Sequence, residues 1–196
     1  MKLSPKALAI AAVLVSSAVL FFGWTKYYDF LNRGRRPPES HLILNTIEKK
    51  GVPPISSQTI DGRAITLEEF KGKIVILNFW ASWCEPCVAE FPSLQNLIRH
   101  FKGEIVMLAL SGDYEEPDIR TFLKAFNVVE KDIHVIWDRD QAIAKSYGTF
   151  KLPESYIIDR EGRLIRKISG VDKWDTPEAL EFFQSLVSEN ASQPVE

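Results

Sequence analysis

Cysteine is scarce in this chain: its 196 residues contain only Cys84 and Cys87. That excludes a disulfide-stapled scaffold, which needs several bridges in place of a core, and it excludes a four-sulfur zinc site. Histidine does not make up the shortfall, because His41, His100 and His134 are scattered without ligand spacing, so no metal is expected. Neither sign of charge dominates: 24 Lys+Arg against 26 Asp+Glu leave a net charge of -2, with the two signs mixed throughout. The electrostatic footprint of a nucleic-acid binder is missing. Internal repeats and low-complexity tracts are absent too, which excludes a solenoid or an array.

What is present centres on Trp80-Ala81-Ser82-Trp83-Cys84-Glu85-Pro86-Cys87. The run before it, Ile74-Val75-Ile76-Leu77-Asn78-Phe79, is short, β-branched and nearly all apolar, which predicts a central strand buried on both faces. After it, Val88, Phe91, Leu94, Leu97, Ile98 and Phe101 recur at helical spacing. The two cysteines therefore fall where a strand gives way to a helix. Unpaired N–H groups and the helix dipole favour negative charge at such a place, which pushes a thiol towards thiolate. Cysteines at i and i+3 on one turn are close enough to close a ring. Cys84 can attack a partner's disulfide and Cys87 can resolve the mixed species. Pro86 suits the first turn, since its missing N–H had no partner there. A purely structural role explains the pair less well, because so small a loop removes little chain entropy.

Length and a 45% hydrophobic content provide for one good core plus an extension. Residues 1–31 are assigned to an N-terminal anchor. Ala7 to Trp24 carry no charge, and about 18 helical residues reach roughly 27 Å, enough for the hydrocarbon core. Trp24, Tyr27 and Tyr28 are placed as an interfacial belt. A cleaved signal peptide is the competing reading, with small residues at Ser16-Ser17-Ala18, but Val19-Leu20-Phe21-Phe22 continues the apolar run beyond that point. Lysines and arginines flank both ends, so charge does not decide the orientation. Residues 32–49 are read as a linker whose second half, His41 to Lys49, is a helix or a strand. Residues 50–189 form the folded domain and residues 190–196 a frayed tail.

Within that domain Ile55–Ile60 and Arg63–Thr66 predict a hairpin turning on Asp61-Gly62. Thr66, with Glu69 at the third helical position, predicts a capped turn. Glu104–Leu110 and Ile133–Trp137 are further strands, with a helix opened by Pro117 between them. A short helix follows Asp138 and stops at Gly148, and His134 is expected on its strand with a hydrogen-bond partner. Ser155–Ile158 and Arg163–Ile168 make a second hairpin, and Thr176-Pro177 opens the last helix. Strand–helix alternation closed by a hairpin and a helix predicts an α/β fold on a mixed sheet.

These residues carry a resemblance. Phe79-Trp80-Ala81-Ser82-Trp83-Cys84-Glu85-Pro86-Cys87, with Leu152-Pro153 before a strand, resembles the thioredoxin fold. The N-terminal span, the Asp61-Gly62 hairpin, Lys71-Gly72-Lys73 and Glu90-Phe91-Pro92 resemble its membrane-anchored TlpA/ResA-like branch over about residues 50–188. The resemblance implies a thioredoxin-like fold: a mixed central sheet flanked by helices, with an N-terminal β-hairpin extension and a transmembrane helix. It implies a soluble domain on the periplasmic side of a bacterial cytoplasmic membrane. It also implies reduction of protein disulfides, including those of apocytochrome c before haem attachment, with electrons from a membrane thiol donor and no cofactor beyond the cysteines. It places Pro153 opposite the cysteines as a cis proline, with Leu152 pairing to an extended substrate and Trp83 bordering the binding face.

Two departures bear on mechanism. Cytoplasmic thioredoxins carry a buried Asp where this chain has Asn78, which cannot act as a base. Glu90, three residues beyond Cys87 on the same helical face, is the candidate base or proton relay. Glu154 follows the proline where the family commonly has Thr. With Glu85 and Glu90 it is expected to make the rim acidic, disfavour the thiolate and give a more reducing couple. Two other classes stay open. A disulfide-introducing oxidant is disfavoured by the acidic residue between the cysteines. A copper-delivery module on a related fold would have three residues between them rather than two.

Overall fold

The computed structural model describes residues 5–32 and 39–189, which fall into two units, 1–38 and 39–196. The first is helix α1 (Pro5–Asn32, 28 residues). Its described side chains from Val13 to Tyr28 are all exposed. Among the described residues no helix is long and apolar enough to cross a membrane, so the span expected over residues 7–24 is not shown, although those residues lie in one continuous helix. The side chains of residues 7–10 and 12, which carry the first part of that span, lie outside the described set, as do residues 33–38 and the tail 190–196.

The second unit begins with α2 (Glu39–Lys50), which resolves the helix-or-strand question and corrects the placing of residues 39–49 in a linker. Ile43, Leu44 and Ile47 share one face of it. They pack into the core beside Phe79, Tyr147 and Tyr156. The hairpin follows as β1 (Ser56–Gln58) and β2 (Ala64–Thr66), antiparallel, with Gly62 at a φ of 82° that suits glycine at its turn. In the 3₁₀ turn Leu67–Phe70, Glu69 Oε1 accepts from the Thr66 N–H at 2.8 Å, as the cap pattern predicts.

Five strands make the main sheet: β3 (Ile74–Trp80), β4 (Ile105–Ser111), β5 (Ile133–Trp137), β6 (Glu154–Ile158) and β7 (Leu164–Ser169), in the order β5-β4-β3-β6-β7. β3 runs parallel to β4 and antiparallel to β6, so the sheet is mixed. Helices α3 (Glu85–His100), α4 (Glu116–Ala125), α5 (Ala142–Ser146) and α6 (Pro177–Glu189) complete the domain.

All seven residues of β3 are buried, and their alternation serves two cores. Ile74, Ile76 and Trp80 face a cluster containing Phe91, Phe122, Trp174 and Phe183; Val75, Leu77 and Phe79 face one with Tyr147 and Tyr156. Asn78 has the parity of Trp80, and it is the one polar residue in this central strand. Its orientation towards α3 follows from that parity alone. His134 behaves as expected, lying on β5 with Nδ1 3.4 Å from the Arg63 guanidinium and its ring stacked on Phe70.

Candidate active site

The cysteines stand where the strand-to-helix reading puts them. Cys84 is the N-cap of α3, in extended backbone (φ -87°, ψ 96°), and Pro86 lies in the first turn. Cys84 and Cys87 are joined by a disulfide, with their Cα atoms 5.2 Å apart. Cys84 Sγ also accepts from the Cys87 N–H at 3.3 Å, one of the orphan donors of the helix end. Cys84 lines an open cavity of about 410 Å³ together with Trp83, Phe150 and Leu152, whereas Cys87 is 1% exposed and stands behind it. An incoming group therefore meets Cys84 first.

The loop that presents Cys84 is held by a residue that sequence reasoning passed over. Asp113, fully buried just beyond β4, accepts from the Ser82 hydroxyl at 2.6 Å, the Ser82 N–H at 3.1 Å and the Ser111 hydroxyl at 2.6 Å. The Trp137 indole donates to its carbonyl at 2.8 Å. The available signal was positional: Gly112-Asp113 closes the strand parallel to β3, and adjoining parallel strands bring their C-terminal ends together. Trp83 is 54% exposed, stacks on Tyr114 at 5.9 Å and lines the cavity. Trp80 is fully buried, 4.5 Å from Phe122, and belongs to the core.

The Leu152–Pro153 peptide bond is cis, in agreement with the reading of Pro153, and Leu152 lines the cavity beside Cys84. Glu85 and Pro86 are exposed at the mouth.

Glu90 is 3% exposed, one turn beyond Cys87. Its Oε1 accepts from Asn78 Nδ2 at 3.1 Å; its Oε2 accepts from the Asp172 N–H at 3.1 Å and from the Trp174 indole at 3.4 Å. Burial raises its pKa above the usual carboxylate range, opposed by those three donors and reinforced by the Asp172 charge. Asn78, which cannot act as a base, instead anchors the Glu90 carboxyl group, and its amide also donates to the Ser155 hydroxyl at 3.0 Å.

The expected acidic rim is corrected by the structure. Glu90 is inside, and Glu154 is only 7% exposed. Glu154 pairs with Lys167 at 2.9 Å and accepts from the Ser169 hydroxyl at 2.8 Å. The register explains this, because β6 sets Glu154 opposite Ser169 and Tyr156 opposite Lys167. Burial works to lower the Lys167 pKa, but its pairing with Tyr156 and Glu154 outweighs that and leaves it raised. Glu85 alone of the three acids remains at the surface.

A cysteine pair that closes into a disulfide at a helix N-terminus, with one sulfur towards an open cavity, is equipped for thiol–disulfide exchange. Comparison with known proteins agrees. Residues 49–167 match the model of the AhpC/TSA family. The chain is 35% identical over 162 residues to the thiol-disulfide oxidoreductase ResA of Bacillus cereus, covering 82% of this chain and 85% of the relative. It is 32% identical over 124 residues to the ResA of Bacillus subtilis, covering 63% and 68%. Among solved structures, a putative thiol:disulfide interchange protein DsbE from Chlorobium tepidum superposes with a TM-score of 0.62 at 25% identity, covering 70% of this chain and 96% of that one. The chain belongs to the AhpC/TSA family, and within it to the ResA-like thiol-disulfide oxidoreductases.

Proposed function

We propose that this oxidoreductase works as a reductase of disulfides in extracytoplasmic protein clients, oxidised apocytochrome c being the client class. The observation that carries the reading is the division of labour between the sulfurs: Cys84 opens on the cavity, and Cys87 is enclosed one turn from a buried carboxyl group. In the reduced protein the Cys84 thiolate attacks one sulfur of the client disulfide. The client's S–S bond breaks, its second sulfur leaves as a thiolate and takes a proton, and a mixed disulfide forms on Cys84. Cys87 then gives its proton to Glu90 and attacks Cys84 Sγ. The client leaves as a dithiol, and the Cys84–Cys87 bond seen in the structure closes. Two electrons and two protons pass to the client, and a membrane dithiol donor restores the pair.

Leu152, next to Pro153, pairs in this reading with an extended client, and Trp83 forms one wall of the approach. Glu85, the exposed acid beside Cys84, disfavours the thiolate and holds the couple reducing. The position at the membrane rests on the uncharged apolar residues 7–24 and on the exposed described side chains of α1; the periplasmic side rests on the ResA-like resemblance.

The test is a Cys87→Ser variant, which cannot resolve the mixed species. It is expected to hold clients on Cys84 as adducts released by reductant, with c-type apocytochromes among them. Equilibration of the wild-type pair with glutathione reads the direction. A couple more oxidising than glutathione would overturn the reductase reading, and adducts free of apocytochromes would overturn the client class.

A further inference from the structure

The segment between β7 and α6, Gly170 to Thr176, is tied along α3 at regular intervals. The Gly170 N–H donates to the Pro153 carbonyl at 2.9 Å. The Asp172 N–H and the Trp174 indole donate to Glu90 Oε2 at 3.1 and 3.4 Å. The Trp174 N–H reaches the Ser93 hydroxyl at 3.3 Å, and Asp175 accepts from Asn96 Nδ2 at 2.7 Å. Residues 90, 93 and 96 are spaced by three, on one face of α3. The segment is therefore a strap joining the cysteine helix to the cis-proline strand. Of its residues 170–175, only Trp174 is buried, at 2% exposure.

A carboxyl group removed from water ionises only if donors replace the water it loses. From β3, Asn78 supplies one donor. From β6, Ser155 reaches the carboxyl only through Asn78. On α3 itself the Ser93 hydroxyl donates to the Glu90 main-chain carbonyl rather than to the carboxyl, and Phe183 of α6 packs on Trp174 and offers no polar group. The strap supplies the other two donors and one adverse charge, the Asp172 carboxylate.

Building on the reading of Glu90 as proton acceptor for Cys87, we infer that Trp174 is a positioning residue for the reaction: its indole N–H orients the Glu90 carboxylate and sets the pH at which it accepts a proton. Trp174→Phe deletes that donor and keeps a ring against Phe183, whose centroid lies 6.1 Å away. Loss of a donor to the ionised form raises the proton affinity of Glu90, so the rising limb of its pH–rate profile moves to higher pH. A shift of about one unit is expected, the order of a single hydrogen bond to a charged group.

The experiment follows reduction of a model peptide disulfide against pH by the full-length protein, its Trp174→Phe, Phe183→Leu and Glu90→Gln variants, and the double variant of Trp174→Phe with Glu90→Gln. The inference expects the upward shift in Trp174→Phe, none in Phe183→Leu, loss of the limb in Glu90→Gln, and no further change in the double variant. In wild-type protein the Trp174 indole N–H resonance should titrate with the same midpoint as the limb. An unshifted limb in Trp174→Phe, or an equal shift in Phe183→Leu, overturns this inference and leaves the role of Glu90 standing. A limb that survives Glu90→Gln overturns both.

Discussion

Two buried acids near the active site are handled in opposite ways, and their surroundings account for it. Glu154 meets a cation, Lys167, across 2.9 Å, so its charge is paired. Removing one partner of such a pair leaves the other charge uncompensated. Lys167→Met is therefore expected to cost about 3 kcal/mol in urea denaturation, and adding Glu154→Thr should recover most of it. Glu90 meets only neutral donors, and burial raises its pKa. In the pH window between its unfolded and folded pKa values, the native state binds more protons than the unfolded one. Stability consequently falls as pH rises from the ordinary carboxylate value of 4.5 through the raised one, and levels off above it. Glu90→Gln should flatten that slope, which denaturation midpoints of the oxidised protein measured across the window will show.

At the scale of elements, the cysteine helix is held just before its start by a group beyond the end of β4 and, one turn past Cys87, by a group from β3. Asp113 at the end of β4 holds the loop before Cys84 through both Ser82 donors and the Ser111 hydroxyl. Asp113→Ala would leave the Ser82 N–H and two hydroxyls without their acceptor. A loss of roughly 2 to 3 kcal/mol in stability is expected, together with faster alkylation of reduced Cys84 as the loop loosens; thermal melts and timed iodoacetamide labelling measure the two. The central strand β3 links these parts, since the alternation that sends Trp80 into the core beside Phe91 also sends Asn78 to Glu90.

For the molecule as a whole, the described residues 39–189 form a compact unit with its own core. Deleting residues 1–38 is expected to leave reduction of a soluble peptide disulfide within about twofold of the full chain, because no residue placed at the site lies there. If the proposed position at the membrane holds, the full chain is expected in the membrane pellet and the same deletion is expected to move it to the supernatant. Retention in the pellet would remove α1 as the anchor.

The local pattern of residues determined most of the architecture. The apolar β3, the 3.6-residue period of α3, the Asp61-Gly62 turn and the Thr176 cap are consequences of periodicity and backbone preference, which act between neighbours in the chain. The place of the cysteines follows from the same short-range rules. Long-range pairing decided the environments of the charges. Glu154 is inside because β6 and β7 pair in a register that brings Ser169 and Lys167 to it, and Glu90 is enclosed because a strap about 80 residues further along closes over it. Asp113 and Trp174 have no local signature, since each acts on a segment remote in sequence. A charge's partners are set by the whole fold, whereas a strand or a turn is set by the residues beside it, and only the first needs the tertiary structure to be known.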